Sequence, residues 1–200
     1  MQSLPRLILA TRNAHKTEEI RQILGHRFEI TDVRSFPGLP EIEETGSTFV
    51  ENARLKALGI SSLMGGWVLA DDSGLEVDAL DGAPGVWSSS FGGEEGNHAK
   101  NNQRLIEEMS GVDGRTARFQ CTLVLAKDGK EQGVFSGSVE GTIGRELSGS
   151  GGFGYDPLFI PAGHTQTLAQ LGPTIKNTLS HRARALKAMV DAIENQSINF

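Results

Sequence analysis

A few short stretches of this 200-residue chain gather side chains that do chemistry. Asp71-Asp72-Ser73-Gly74 sets two carboxylates side by side at the end of an apolar run. Adjacent acids beside a buried strand are unfavourable unless solvated, hydrogen-bonded or bound to a cation. Successive strand residues face opposite ways, so Asp71 and Asp72 are expected to play different roles. Glu43-Glu44, just before a helix, offers a further carboxylate. One or two carboxylates suffice for Mg2+ when phosphate oxygens and water complete its octahedron. Taken alone, the same acids read equally well as caps on local N–H groups of a turn.

Thr11-Arg12-Asn13-Ala14-His15-Lys16 lies between an apolar strand and the start of a helix. Unpaired N–H groups and partial positive charge make such a helix start a site for phosphate. It is not a Walker A loop, because G-x-x-x-x-G-K-[ST] is absent. A solvated polar loop is the alternative. Further on, Gly149-Ser150-Gly151-Gly152-Phe153-Gly154 satisfies G-x-G-x-x-G, but Asp156-Pro157 and a strand follow where a dinucleotide site needs a helix. An aromatic ring to stack and a carboxylate to hydrogen-bond suit a base pocket better. Lys176 and Ser180-His181-Arg182 place cations at another helix start, where donors make sense facing ligand oxygens. Lys56 shares a helix stripe with Asn52 and could face the same ligand.

Several classes are excluded. With 19 Lys+Arg against 25 Asp+Glu the net charge is −6, against binding nucleic-acid polymers by phosphate neutralisation. One cysteine, Cys121, allows no internal disulfide framework, and a reducing cytoplasm is the expected compartment. His15, His26, His98 and His164 lack metal-ligand spacing. No apolar run is long enough to span a membrane.

The elements that must position these groups alternate. Arg6–Thr11 and Phe28–Asp32 read as strands, Lys16–Leu24 as a helix. A helix opens at Thr48 with Glu51 at capping-box spacing, and Trp67–Ala70 is a strand ending at Asp71-Asp72. Asn97–Met109 is a helix with Asn102, Leu105, Ile106 and Met109 on one face. Thr116–Ala126 alternates as a strand with one buried face, and an Asp128-Gly129 turn leads into a second strand to Ile143. Leu158-Phe159-Ile160 is a strand, and Ser180–Glu194 the last helix. This predicts an α/β fold on a mixed sheet, one domain over residues 1–200.

In their order along the chain, Thr11-x-Asn13-x-x-Lys16, Glu43-Glu44-Thr45-Gly46, Phe49-x-Glu51-Asn52-Ala53, Asp71-Asp72-Ser73-Gly74-Leu75, Gly82-Ala83-Pro84-Gly85, Gly152–Pro157 and Ser180-His181-Arg182 resemble the inosine/xanthosine triphosphate pyrophosphatases. The resemblance runs from about Leu7 to Ile193. It implies a long central mixed sheet flanked by helices, with two lobes, an active-site cleft between them, and a homodimer. It implies Mg2+-dependent cleavage of ITP, dITP or XTP to the monophosphate and pyrophosphate, with no membrane or nucleic-acid partner. By motif, Thr11, Arg12, Asn13, Ala14, His15 and Lys16 would hold the triphosphate, helped by Lys56. Glu43 and Asp72 would bind Mg2+, with Asp72 also the proton acceptor. Ser73, Phe153, Gly154, Tyr155, Asp156, Lys176, His181 and Arg182 would meet the nucleotide, the residues from Phe153 onward chiefly around the base. The chain departs from the family at Arg12, usually Gly, and at Ser88-Ser89-Ser90, usually Ser-Ala-Arg. A nucleotide sensor without turnover and a pyrophosphatase for modified pyrimidine nucleotides are the competing readings. Intact Glu43 and Asp72 argue against the first, and the Ser180-His181-Arg182 and Phe153–Asp156 motifs against the second.

Overall fold

The computed structural model describes residues 4–198 and 200. Its elements are β1 (Arg6–Leu9), α1 (Ala14–Leu24), β2 (Glu29–Asp32), α2 (Phe49–Met64), β3 (Trp67–Val77), α3 (His98–Glu108), β4 (Thr116–Lys127), β5 (Lys130–Ile143), β6 (Phe159–Pro161), α4 (Leu168–Leu179) and α5 (His181–Glu194). They build one six-stranded sheet in the order β2-β1-β3-β4-β5-β6. β1 runs parallel to β2 and β3, while β5 and β6 are antiparallel, so the sheet is mixed as expected.

The chain divides into two compact units. The first holds the residues up to Asp72, Cys121–Gly137, and the chain from Arg182 onward. Here Leu7, Leu9, Leu69, Cys121, Leu123 and Leu125 pack with Ile20 and Leu24 of α1 and Leu186 and Met189 of α5. Alternate residues of the same strands, Ile8, Ala10, Val68, Ala70, Val124 and Ala126, pack with Ala53, Ala57 and Ile60 of α2. Both sheet faces are therefore covered. This corrects the reading of β4. Its alternation holds to Gln120, but every residue from Cys121 to Ala126 is buried, because helices lie on both sides.

The second unit comprises Ser73–Gln120 and Ser138–His181. Its core gathers Leu75, Val77, Leu105, Met109, Phe119, Val139, Leu158, Phe159 and Leu168. Arg115 ties the end of α3 to the end of β5, donating to Met109 O at 2.9 Å, Ile143 O at 2.6 Å and Gly144 O at 2.7 Å.

Local signals account for most boundaries. Thr48 and Glu51 form the expected reciprocal cap on α2. Asp128 (φ 49°) and Gly129 (φ 78°) make the two-residue hairpin turn. That turn is anchored to α2, since the Gly129 N–H donates to Ser61 Oγ at 3.0 Å. Three expectations need correction. α1 begins at Ala14 rather than Lys16, because the Asn13 side chain caps it by accepting from the His15 and Lys16 N–H groups. β3 does not end at the acids but continues to Val77; carboxylates satisfied by cations do not interrupt a strand. α4 has no counterpart in the sequence reading. Thr167 and Gln170 cap it reciprocally, but Gly172 (φ 78°) and Pro173 kink it and hide its periodicity. Among the described residues no helix is long and apolar enough to cross a membrane.

Candidate active site

In the first unit, β1 delivers the chain to Thr11, whose Oγ1 accepts from the Asn13 N–H at 3.1 Å. Asn13 Oδ1 in turn accepts from His15 N at 2.9 Å and Lys16 N at 3.3 Å. The first turn of α1 is thus held by two of the three side chains that the motif singles out. Ala14, His15 and Arg12 are exposed, and Arg12 donates to Leu39 O at 3.0 Å. Lys16 turns back toward β3, placing Nζ 2.6 Å from Asp71 Oδ1.

The two acids of β3 face different partners, as strand geometry requires. Asp71 is buried with Arg182 Nε at 2.8 Å and Lys16 Nζ at 2.6 Å, and it accepts from the Cys121 thiol at 3.2 Å. Burial alone would raise its pKa, but Arg182 and Lys16 override this and hold the carboxyl well below the usual range. Burial and the neighbouring Asp71 push the Cys121 thiol up, consistent with a core residue rather than a nucleophile. Arg182 also pairs with Glu19. Its guanidinium, expected near the base, is thus committed to two carboxylates.

Asp72 has less support. Lys56 Nζ stands 3.3 Å from Asp72 Oδ1, 3.0 Å from Asp71 O and 2.7 Å from Glu44 Oε2. Burial pushes the Asp72 carboxyl up to about 6, with Lys56 and Lys16 opposing and Glu44 and Asp71 adding to the rise. Its second oxygen, Oδ2, is buried without a hydrogen-bond partner. A hard, desolvated carboxylate oxygen of this kind fits a divalent cation such as Mg2+. Among the described residues no three Asp, Glu, His or Cys side chains form a ready metal cluster, so phosphate and water would have to complete a coordination shell. Glu43 is exposed; the structure sets Glu44, rather than Glu43, against the lysine that touches Asp72. The acidic segment is fastened to α2 through Asn52 Oδ1, which accepts the Gly46 N–H at 2.8 Å.

In the second unit, Ser73 follows in β3, half-buried. The glycine-rich loop is held by Asp156, whose Oδ2 accepts from the Phe153 N–H at 2.8 Å and pairs with Lys176 Nζ at 2.6 Å. That ammonium also lies 4.5 Å from the Phe153 ring centroid. Gly152 (φ 72°) and Gly154 (φ 63°) take the left-handed backbone that the turn needs. Tyr155 points into the core, its hydroxyl donating to Ser88 O at 2.9 Å, and burial raises its pKa. His181 stacks on Phe119 with ring centroids 4.8 Å apart.

The structure therefore brings Lys16, Lys56, Asp72 and Arg182 together around Asp71 in the first unit, and Phe153, Asp156 and Lys176 together in the second. Sequence reasoning missed Glu19 as a partner of Arg182, although it lies one turn beyond Lys16. It also gave no role to Asn102, whose signal was a polar residue on an otherwise apolar helix face.

A parallel strand-to-helix step capped by Asn13, with a buried acid beside lysines, marks an α/β protein suited to binding anionic ligands. Residues 7–192 match the Ham1 family, and the chain belongs to it. A dITP/XTP pyrophosphatase of Listeria monocytogenes is 46% identical over 189 residues, 93% of each chain. One from Desulforamulus reducens is 45% identical over 97% of this chain and 98% of its own. Among solved structures, the Ham1 protein of Staphylococcus aureus superposes with a TM-score of 0.85 at 33% identity, over 96% of this chain and 99% of that one. A HAM1 protein from Coxiella burnetii gives 0.85 at 38% identity, over 96% of this chain and 100% of that one.

Proposed function

We propose that this protein hydrolyses the non-standard purine nucleoside triphosphates ITP, dITP and XTP to the monophosphate and pyrophosphate, with Mg2+, clearing them from the nucleotide pool. The observation that carries the reading is Asp72, a buried acid with one oxygen beside Lys56 and the other without a partner. Water attacks the α-phosphorus in line; its oxygen forms the new P–O bond as the bond to the bridging oxygen breaks. Asp72 takes the proton, and the electron pair leaves with pyrophosphate. Lys16 and Lys56 offset the charge that builds on the leaving group, and the capped start of α1 orients the phosphates. Asp72 with Glu43 or Glu44 would hold Mg2+, which when bound supplies positive charge at the phosphate oxygens.

The Phe153–Asp156 loop, Lys176 and His181 are assigned to the base. Hypoxanthine and xanthine present an acceptor at the 6-position where adenine presents an amine, and a donor aimed there would be left unpaired by adenine. We also propose a cytoplasmic location, in keeping with a role in the nucleotide pool, and a homodimer, which sedimentation velocity tests.

The deciding experiment compares ITP, dITP, XTP, ATP, GTP and modified pyrimidine triphosphates with and without Mg2+, reading both products. Inosine and xanthosine nucleotides should yield monophosphate and pyrophosphate only with the metal. Orthophosphate as the sole product, or preference for a pyrimidine nucleotide, would overturn the proposal. The Mg2+ dependence of Glu43→Gln and Glu44→Gln then identifies the second carboxylate.

A further inference from the structure

Asn102, in α3, is buried, and both hydrogens of its amide are spent on backbone carbonyls. Nδ2 donates to His98 O at 2.8 Å and to Gly154 O at 2.8 Å. These two bonds fix the amide's orientation, because a flipped amide would set Oδ1 against both carbonyls. Oδ1 is left buried without a hydrogen-bond partner. A buried unsatisfied acceptor is unfavourable, and native structures retain few of them. Keeping an asparagine here makes sense if the donation to Gly154 is what the position supplies.

Gly154 is the point at which α3 reaches the loop, as Lys176 of α4 reaches it at Asp156. It has no side chain, adopts a left-handed backbone at φ 63°, and sits between Phe153 and Asp156. Within the loop, the Phe153 N–H donates to Asp156 Oδ2 at 2.8 Å and the Asp156 N–H to Phe153 O at 3.3 Å. Both bonds close the turn on itself; the Asn102 bond fastens it to a helix. The preceding residue serves another loop in the same way. Asn101 Oδ1 accepts from Gly92 N at 2.6 Å, and its Nδ2 donates to Ser89 O at 2.9 Å.

We propose that Asn102 is a positioning residue for nucleotide binding, holding the Gly154 carbonyl so that the Phe153 ring and the neighbouring peptide groups keep the geometry that a purine base requires. The proposal deepens the function assigned above and rests on it for its kinetic consequence, but not for its structural one.

Asn102→Ala removes the donor. Asn102→Asp keeps the shape and the acceptor but turns a carboxylate oxygen toward two carbonyls. Amide hydrogen exchange at Phe153 and Asp156 should speed up by roughly 10-fold or more in both variants. The amides of Leu7 and Leu9 serve as an internal reference and should hold their wild-type rates. The KM for ITP should rise by roughly 10-fold or more with kcat within about 3-fold of wild type, as expected for lost ground-state binding. The aspartate should be at least as severe as the alanine. If the alanine variant does not fold, Asn102→Leu, of similar size and without a donor, is the second test. Unchanged loop exchange would overturn the proposal, as would wild-type behaviour of Asn102→Asp or a fall in kcat at unchanged KM. Absence of ITP turnover in the unmodified protein would instead defeat the assigned function, while the exchange measurement still decides the clamp.

Discussion

Replacing Asp72 by asparagine should abolish turnover and at the same time stabilise the protein. Asp72 is 8% exposed, and burial raises its carboxyl from an ordinary value of 3.8 to about 6. An acid whose folded value is raised binds its proton more tightly in the folded than in the unfolded chain. Its ionisation therefore opposes folding. The penalty is absent below about pH 4, grows through the window up to about pH 6, and is complete above it. A rise of about two units at ~1.36 kcal/mol each amounts to about 3 kcal/mol. The attraction of Lys56 and Lys16 is already contained in this figure, since both act against the rise. Asparagine keeps the shape and carries no charge, and Lys56 retains Glu44 and the Asp71 carbonyl. For a chain of this size the melting temperature at neutral pH should rise by roughly 6–12 °C. The check is calorimetric melting of both proteins across the acid-to-neutral range, beside an assay of ITP hydrolysis. The gap should close as pH falls toward 4. A variant that melts at or below wild type at neutral pH, or a gap indifferent to pH, would refute the electrostatic account of this site.

Carbon-13 NMR of the metal-free protein should find the Asp72 carboxyl titrating near about 6, moved further up by Lys56→Met and down by Glu44→Gln; shifts of the opposite sign would contradict the assigned neighbours. Asp32 is held below its ordinary value, because hydrogen bonds from Arg34 and Thr17 outweigh its burial. Its stabilisation is complete above the unfolded value near pH 4 and is lost as pH falls through the lower folded one. Asp32→Asn should lose roughly 2 kcal/mol in urea unfolding at neutral pH, with the difference shrinking in acid; equal stability at neutral pH would count against it. Gly129→Ala forces a side chain into φ 78° with its Cβ 2.5 Å from Ser62 Oγ, and should lose about 1–2 kcal/mol by the same measurement. An unchanged midpoint would show that the hairpin tip is not anchored on α2 as described.

Much of the fold was legible because local chemistry and burial agree along most of the chain. The Thr48–Glu51 cap, the Asp128-Gly129 turn and the alternation of Ala117 and Phe119 are each set by residues a few positions apart. What escaped was set at long range. The burial of Val124 and Ala126 depends on α2 lying over a strand some sixty residues later in sequence. β3 runs on past Asp71 because its acid partners, Lys16 and Arg182, arrive from distant segments. In the candidate site, motif order singled out Lys16, Lys56 and Asp72, and the structure sets both lysines against the Asp71-Asp72 pair. Motif order could not say that Arg182 is engaged by Asp71 and Glu19, or that Glu44 rather than Glu43 meets Lys56. Those outcomes depend on side-chain direction, which spacing along the chain does not carry.

The contrast between Asp71 and Asp72 gives the site its logic. Two adjacent acids in one strand titrate far apart because their opposite faces meet different numbers of cations, the pattern by which neighbouring carboxyls take separate roles. Asp71 stays ionised, and it holds the Lys16 ammonium in place against β3. A lysine so anchored would lose little side-chain freedom on meeting a phosphate in the proposed role, so part of the ordering entropy of binding would be met during folding. Asp72 is the reverse case, a carboxylate that the fold buries without completing its hydrogen bonds. A strand that satisfied both acids equally would be more stable, but it would have no oxygen to offer a cation or a proton. The strain therefore belongs at Asp72, and the neutralising cations belong at its neighbour.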